Sequence, residues 1–166
     1  MKVLMSSGAT REPIDNVRFL SNMSTGKTGA TIASHLDDKG EEVIFLYGKG
    51  SVKPILKNGR CLEFTSTDHL EILLKECLGS ESIDVAIQMA AVSDYKAHRI
   101  NGIEIDGESN EKIDSSSELS IDFKKNKKIL PLIKSFSKNK NLTVIGFKLT
   151  SHAGESLVRD KLKKVF

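Results

Sequence analysis

Apolar residues in this chain arrive in short runs, and between the runs they recur at helical spacing. Residues 2–6 read as a buried strand. Residues 26–38 read as a helix, with Ala30, Ile32, Ala33 and Leu36 on one stripe and Gly40 as the stop. Residues 42–47 form a second, almost wholly apolar strand ended by Gly48. Residues 68–78 form a second helix with Thr67 or Asp68 as its cap, and residues 84–90 form a third strand. Strands alternating with helices over short connections predict a parallel sheet covered on both faces.

The rhythm then breaks. Residues 93–117 carry little apolar periodicity and much Gly, Asn, Ser and Asp, so they read as one long loop. A loop of that length in a compact domain is functional or unstructured, and a mobile flap at about 94–117 is expected. Residues 118–124 alternate Leu119, Ile121 and Phe123 with polar partners, as a strand does. Residues 128–136 predict a short helix with Pro131 in its first turn. Residues 142–147 predict a buried strand, and residues 153–164 a final helix. No internal repeat or linker divides the chain. The reading is a single α/β domain over residues 1–166: a Rossmann-like, mostly parallel sheet with helices on both faces and a long flap.

Composition narrows the class. A length of 166 residues suits one domain with a real core, and 39% hydrophobic residues fits a soluble globular protein. No apolar run is long enough to span a membrane, and the start is too short for a signal peptide, so a cytoplasmic location is expected. Cys61 and Cys77 lack metal-type spacing and read as reduced thiols. The net charge of +3 is unevenly spread, with basic clusters at 124–140 and 159–164. Trp is absent and only two Tyr occur, so no aromatic platform accompanies the basic clusters. A polyphosphate ligand or a solvated helix face explains them better than nucleic acid does.

Candidate chemistry concentrates at predicted strand ends. The turn at Ser7-Gly8-Ala9 follows the first strand, and Ser24-Thr25-Gly26-Lys27 opens the first helix. Two such turns aim backbone N–H groups and a helix dipole at an anion. Gly26-Lys27-Thr28 imitates the end of a P-loop, but Ser21 stands where that motif needs its first glycine. Gly8 likewise lacks the glycines of a dinucleotide fingerprint. His35, His69, His98 and His152 are scattered, and no cluster has metal-ligand spacing, so a metal ligand set stays unknown. What remains is Asn22, the two turns, the strand end from Met89 to Tyr95, Lys112 and Lys125. Ligands bind at the carboxyl ends of strands in an open parallel sheet. These residues therefore point to nucleotide or phosphate chemistry by positioning and charge neutralisation rather than covalent catalysis.

The same residues carry a family resemblance. Ser7-Gly8-Ala9-Thr10-Arg11-Glu12-Pro13-Ile14-Asp15 and Arg18-Phe19-Leu20-Ser21-Asn22-Met23-Ser24-Thr25-Gly26-Lys27 resemble two motifs of phosphopantothenate–cysteine ligase, also called phosphopantothenoylcysteine synthetase. Ala90-Ala91-Val92-Ser93-Asp94-Tyr95, Glu111-Lys112-Ile113 and Ile145-Gly146-Phe147 resemble three more. The runs from Lys112 to Ser117 and from Gly146 to Leu149 most resemble the stand-alone bacterial type. The resemblance implies a two-step ligase of coenzyme A biosynthesis that uses CTP (ATP less readily) with Mg²⁺. The carboxylate of 4′-phosphopantothenate attacks the α-phosphate and pyrophosphate leaves. The amine of L-cysteine then attacks the acyl-nucleotide.

By matched motif, the resemblance implies that Asn22 holds the acyl-nucleotide and Lys112 closes over the phosphates. It implies a nucleotide pocket of Gly8, Met89, Ala90, Ala91, Asp94, Lys125, Asn126 and Phe147, with late lysines near Lys161 and Lys164. Asn22, Arg18 and Ala91 fall on the substrate side, and Arg18 near the boundary of a homodimer. Ala9 stands where a second glycine is usual, and Lys127 replaces the proline that usually follows Asn126. Family members continue past the position of Phe166 through a strand, an Ala-Asn-Asp motif and a helix, so a C-terminally truncated member is expected. An alternative stays open: a non-catalytic or impaired nucleotide-binding homologue. Neither a membrane nor a nucleic acid is an expected partner.

Overall fold

The structure, a computed structural model, describes residues 1–105, 112–114 and 118–147. In chain order the elements are β1 (Lys2–Ser7), β2 (Arg11–Pro13), β3 (Phe19–Ser21), α1 (Lys27–Asp38), β4 (Glu42–Gly48), β5 (Arg60–Phe64) and α2 (Thr67–Ser80). There follow β6 (Val85–Gln88), β7 (Tyr95–Ile100), β8 (Ile103–Glu104), β9 (Ile121–Lys125), a 3₁₀ turn at Leu130–Leu132, α3 (Ile133–Phe136) and β10 (Thr143–Gly146). Five parallel strands form the main sheet in the order β10-β6-β1-β4-β5. The chain builds outward from β1 to β5, then returns across the centre to lay β6 on the other side of β1. The order therefore reverses between β1 and β6, the place where open α/β sheets leave a crevice.

Alternation along the strands makes two cores. Leu4, Ile44, Leu46 and Phe64 face α2, where they meet Leu70, Leu74 and Leu78, and Ile133 of α3 closes this layer. Met5, Val43 and Phe45 face α1 and meet Ala30 and Ala33. The expected parallel sheet with helices on both faces is what the chain forms, and the stripe read on the first helix is the face that packs. Pro131 sits at the start of the 3₁₀ turn that leads into α3, where its missing N–H costs nothing.

Five strands escaped the sequence pattern. The flap expected at 94–117 contains β7 and β8, which pair antiparallel with β9. Only Ala97 of β7 is buried, so the strand carries almost no apolar signature. The hairpin β2–β3 occupies the segment between the two expected turns, where the pattern predicts no strand, and β5 had no reading at all. The cap of α2 is Ser66, whose hydroxyl accepts from the His69 N–H, rather than Thr67 or Asp68. The helix predicted at 153–164 lies outside the described residues. Among the described residues, no helix is long and apolar enough to cross a membrane. Cys77 is buried in the core and Cys61 half-buried, both free, and burial raises both thiols above their ordinary range.

The amino ends of the strands are tied by ions. Glu81, at the C-cap of α2, pairs with Arg60 of β5 and with Lys2 of β1 at 2.7 Å. Those two hydrogen-bonded cations lower its carboxyl from 4.5 to about 2. A depressed folded pKa stabilises the fold above pH 4.5 and loses that contribution as pH falls towards 2. We expect Glu81→Gln to cost about 1 kcal/mol at pH 7, allowing for solvent screening, with the difference from wild type shrinking at pH 2.5. Urea unfolding at both pH values checks this, and an equal difference at both would reject it.

Candidate functional site

Ser7 ends β1 at the centre of the sheet, and the next residue, Gly8, takes a left-handed φ of +86°. A Cβ on Gly8 would lie 2.2 Å from Ser51 Oγ and 3.0 Å from the Gly48 nitrogen. Gly26, with φ +72°, would place its Cβ 3.2 Å from the Gly8 nitrogen. A Cβ on Gly48 would meet the Ala9 carbonyl oxygen at 2.4 Å. The ends of β1 and β4 and the start of α1 thus touch backbone to backbone, which only glycine permits. The two small-residue turns expected to converge do so. Ser7 Oγ donates to the Gly26 carbonyl at 3.2 Å and fixes their spacing.

Gly26 caps α1 without a side chain, and the first turn holds no acidic residue. The Lys27 N–H donates to Thr25 Oγ1 at 3.4 Å, and the next N–H groups and the positive end of the helix dipole face outward, where an external anion can meet them. On the other side of the crevice, the Ala91 N–H donates to the Gly8 carbonyl at 2.8 Å and the Thr10 N–H to the Ala91 carbonyl at 3.2 Å. Asn22 stands exposed at this rim, and its Nδ2 donates to the same Ala91 carbonyl at 3.3 Å. Met89, Ala90 and Ala91 are half-buried along the strand end. One step deeper, Gln88 Oε1 accepts from Ser6 Oγ at 2.7 Å, while its Nε2 is buried with no partner among the described residues.

The other expected residues divide. Phe147 is exposed just past β10. Asp94 is exposed and pairs with Lys128, and Lys125 is exposed opposite Tyr95. Asn126 is buried: its Nδ2 donates to the Ser93 carbonyl at 3.1 Å and to Thr67 Oγ1 at 3.4 Å. Lys112 is exposed on a segment held beside Arg18. The Ile113 N–H donates to Asp15 Oδ2 at 3.1 Å, and Arg18 Nη2 to the Ile113 carbonyl at 3.3 Å. Burial pushes the Asp15 carboxyl up, but N–H groups of Ile113, Val17 and Arg18 and the Arg18 guanidinium outweigh it and hold it below its usual range. Lys161 and Lys164 lie outside the described residues. Among the described residues, no group of three or more His, Cys, Asp or Glu could hold a metal ion.

A buried polar network was missed. Glu12, 1% exposed, accepts from the Thr67 hydroxyl at 2.7 Å and the Thr67 N–H at 3.0 Å. The Ser93 N–H donates to Thr10 Oγ1 at 3.0 Å. Thr10 and Glu12 share the parity of a strand, and that spacing was the only signal available. The network fixes the height of the Ala91 strand end against the Gly8 turn.

The model of the DNA/pantothenate metabolism flavoprotein C-terminal domain matches residues 1–165. The coenzyme A biosynthesis bifunctional protein CoaBC of Thermococcus kodakarensis is 31% identical over 99% of this chain, which spans 38% of that relative's length. The crystal structure of the DNA/pantothenate metabolism flavoprotein from Streptococcus pneumoniae superposes with a TM-score of 0.82 at 32% identity, over 99% of this chain and 78% of that one. The C-terminal domain of a CoaBC protein superposes with a TM-score of 0.71 at 27% identity, over 98% of this chain and 71% of that one.

The glycine junction makes a prediction. We expect Gly48→Ala to destabilise the fold by about 1–3 kcal/mol, because backbone rather than a flexible side chain blocks the added methyl. Gly40→Ala, with nothing within 4 Å of its Cβ, isolates the cost of a positive φ alone. Urea midpoints compare the two, and a Gly48→Ala loss no larger than that of Gly40→Ala would refute the close-contact argument.

Proposed function

The chain belongs to the DNA/pantothenate metabolism flavoprotein C-terminal domain family, and on that premise we propose that it is a phosphopantothenate–cysteine ligase domain of coenzyme A biosynthesis. The observation that carries the reading is the junction of the Gly8 and Gly26 turns with the Ala91 strand end, with the Asn22 amide on its rim. In this reading the N–H groups at the start of α1 and the Gly8 turn receive the phosphates of CTP. The carboxylate of 4′-phosphopantothenate attacks the α-phosphate and pyrophosphate leaves. The amine of cysteine then attacks the acyl carbon, loses its proton and releases CMP. Asn22 donates its amide to the acyl-nucleotide, Lys112 brings charge to the phosphates, and Ala90, Ala91 and Phe147 border the base. The described residues offer no carboxylate cluster for Mg²⁺, so the reading assigns none to it.

Pyrophosphate release that requires both 4′-phosphopantothenate and CTP tests this function. CTP binding without any release would favour a non-catalytic nucleotide-binding homologue. Asn22→Asp is expected to lower turnover by about 10²-fold or more, since a carboxylate repels the oxygen that an amide stabilises. Asp would cap a turn as well as Asn, so unchanged turnover would reduce Asn22 to a structural role.

The reading extends to a homodimer centred near Arg18. Val17 is 60% and Phe19 47% exposed, an apolar surface beside an arginine, which suits an interface centre. Sedimentation is expected to show a dimer that Phe19→Glu weakens. A monomer at all concentrations in the wild type would dismiss the dimer.

A further inference from the structure

We propose, resting on the ligase reading, that Thr10 and Ser21 are positioning residues for the reaction. Together they set the Asn22 amide against the Ala91 carbonyl, and their effect on turnover passes through Asn22.

The geometry begins with a ladder that changes acceptor. β1 and β6 are parallel partners, and a bridge between Ala9 and Ala91 carries their pairing past both strand ends. The Met89 N–H donates to the Ser6 carbonyl at 3.0 Å and the Ala91 N–H to the Gly8 carbonyl at 2.8 Å. Parallel rungs repeat every two residues, so the Ser93 N–H would next meet the Thr10 carbonyl. It donates instead to the Thr10 hydroxyl oxygen, at 3.0 Å. The Thr10 carbonyl accepts from Ser21 Oγ at 2.8 Å. Thr10 therefore holds the strand end with its side chain and leaves its carbonyl to β3, which Asn22 follows directly.

One residue thus fixes both partners of a single contact. Ser21 places the chain that carries Asn22. The Ala91 carbonyl accepts the Thr10 N–H at 3.2 Å as well as Asn22 Nδ2 at 3.3 Å. Valine at position 10 matches threonine in size but has no hydroxyl. The Ser93 N–H, in a residue 6% exposed, would then lack its acceptor. Its alternative is the ordinary rung to the carbonyl of residue 10, in competition with Ser21, and the Asn22 amide moves when that competition begins. Thr10 is itself fully buried. The arrangement is therefore the same whether the Arg18 and Phe19 face is open or covered by a second copy.

The test is a double-mutant cycle on the full chain, read by turnover with CTP, 4′-phosphopantothenate and cysteine. Thr10→Val and Ser21→Ala are each expected to lower kcat about tenfold by misplacing the amide. KM for CTP is expected to stay within about twofold of wild type. Thr10→Ser keeps the hydroxyl and should restore kcat. In an Asn22→Ala background neither substitution should lower kcat further, because the group that they place is gone. Equal losses in both backgrounds would overturn the proposal, as would an unchanged kcat in Ser21→Ala, the variant that reports even if Thr10→Val does not fold. A second readout needs no turnover: the ¹⁵N-NMR signals of the Asn22 side-chain amide should shift in Thr10→Val and Ser21→Ala and return in Thr10→Ser. An inactive wild type whose Asn22 amide shifts in this way would reject the ligase reading and leave the positioning standing. An Asn22 amide unmoved in both variants would overturn the positioning, whatever the activity.

Discussion

Three stretches of backbone meet without side chains between them where β1 runs out, and the position of everything above the sheet follows from that contact. A methyl on Gly8 would strike Ser51, one on Gly26 would crowd Ser51 and the Gly8 backbone, and one on Gly48 would strike the Ala9 backbone. Removing side chains has two consequences. It brings the start of α1 onto the end of β1, so the helix dipole points across the turn and not past it. It also exposes backbone N–H groups that a side chain would cover. A site made this way is rigid, since its donors belong to the main chain of the sheet and of a twelve-residue helix.

A second constraint sets the far wall. Thr10, Glu12, Thr67, Ser93 and Asn126 come from the hairpin, α2, the strand end after β6 and the end of β9, and they bond one another out of water. Burying a carboxylate is costly unless donors meet it. Here Glu12 lies against the first residue of α2, where N–H groups need acceptors. The network gives the small β7–β8–β9 sheet a fixed place against the main sheet without a large apolar contact. It also explains why Asn126, read as a nucleotide contact, is turned inward.

The parts visible in the sequence were those whose burial is two-sided or periodic. β1, β4 and β6 are nearly continuous apolar runs, and α1 shows its stripe, so the sheet and its covered faces are legible in the sequence. β10, expected as a buried strand, instead lies at the sheet edge with Thr143 and Ile145 exposed, because an apolar run alone does not tell an edge strand from a central one. The convergence of the Gly8 and Gly26 turns could be read too, because small residues after a strand have one common use. β7 could not be read: Tyr95–Ile100 holds Lys96, His98 and Arg99, and its pairing comes from the backbone and not from side chains. β5 mixes Arg60 and Glu63 with Leu62 and Phe64 at the sheet edge, which blurs both periods. The polar network was invisible for a different reason: its members are far apart in sequence and individually ordinary. Only the fold reveals that Glu12 and Thr67 share a bond.

The two ends of the five parallel strands use charge differently. At the amino ends, Lys2 bridges Glu42 and Glu81, Arg60 joins Glu81, and the chain's own amino group meets Glu41. Glu81 sits at the carboxyl end of α2, where the dipole disfavours an acid, so the two cations must outweigh the helix as well as solvent. At the carboxyl ends, the Gly8 and Gly26 turns bring main-chain groups together instead. The carboxyl ends hold acids too, but these are engaged: Glu12 accepts from Thr67, Asp15 accepts from backbone N–H groups, and Asp68 and Asp94 pair with Lys96 and Lys128. The first turn of α1 carries no acid. An anion at the Gly26 turn therefore meets the positive end of that helix without a competing carboxylate on it.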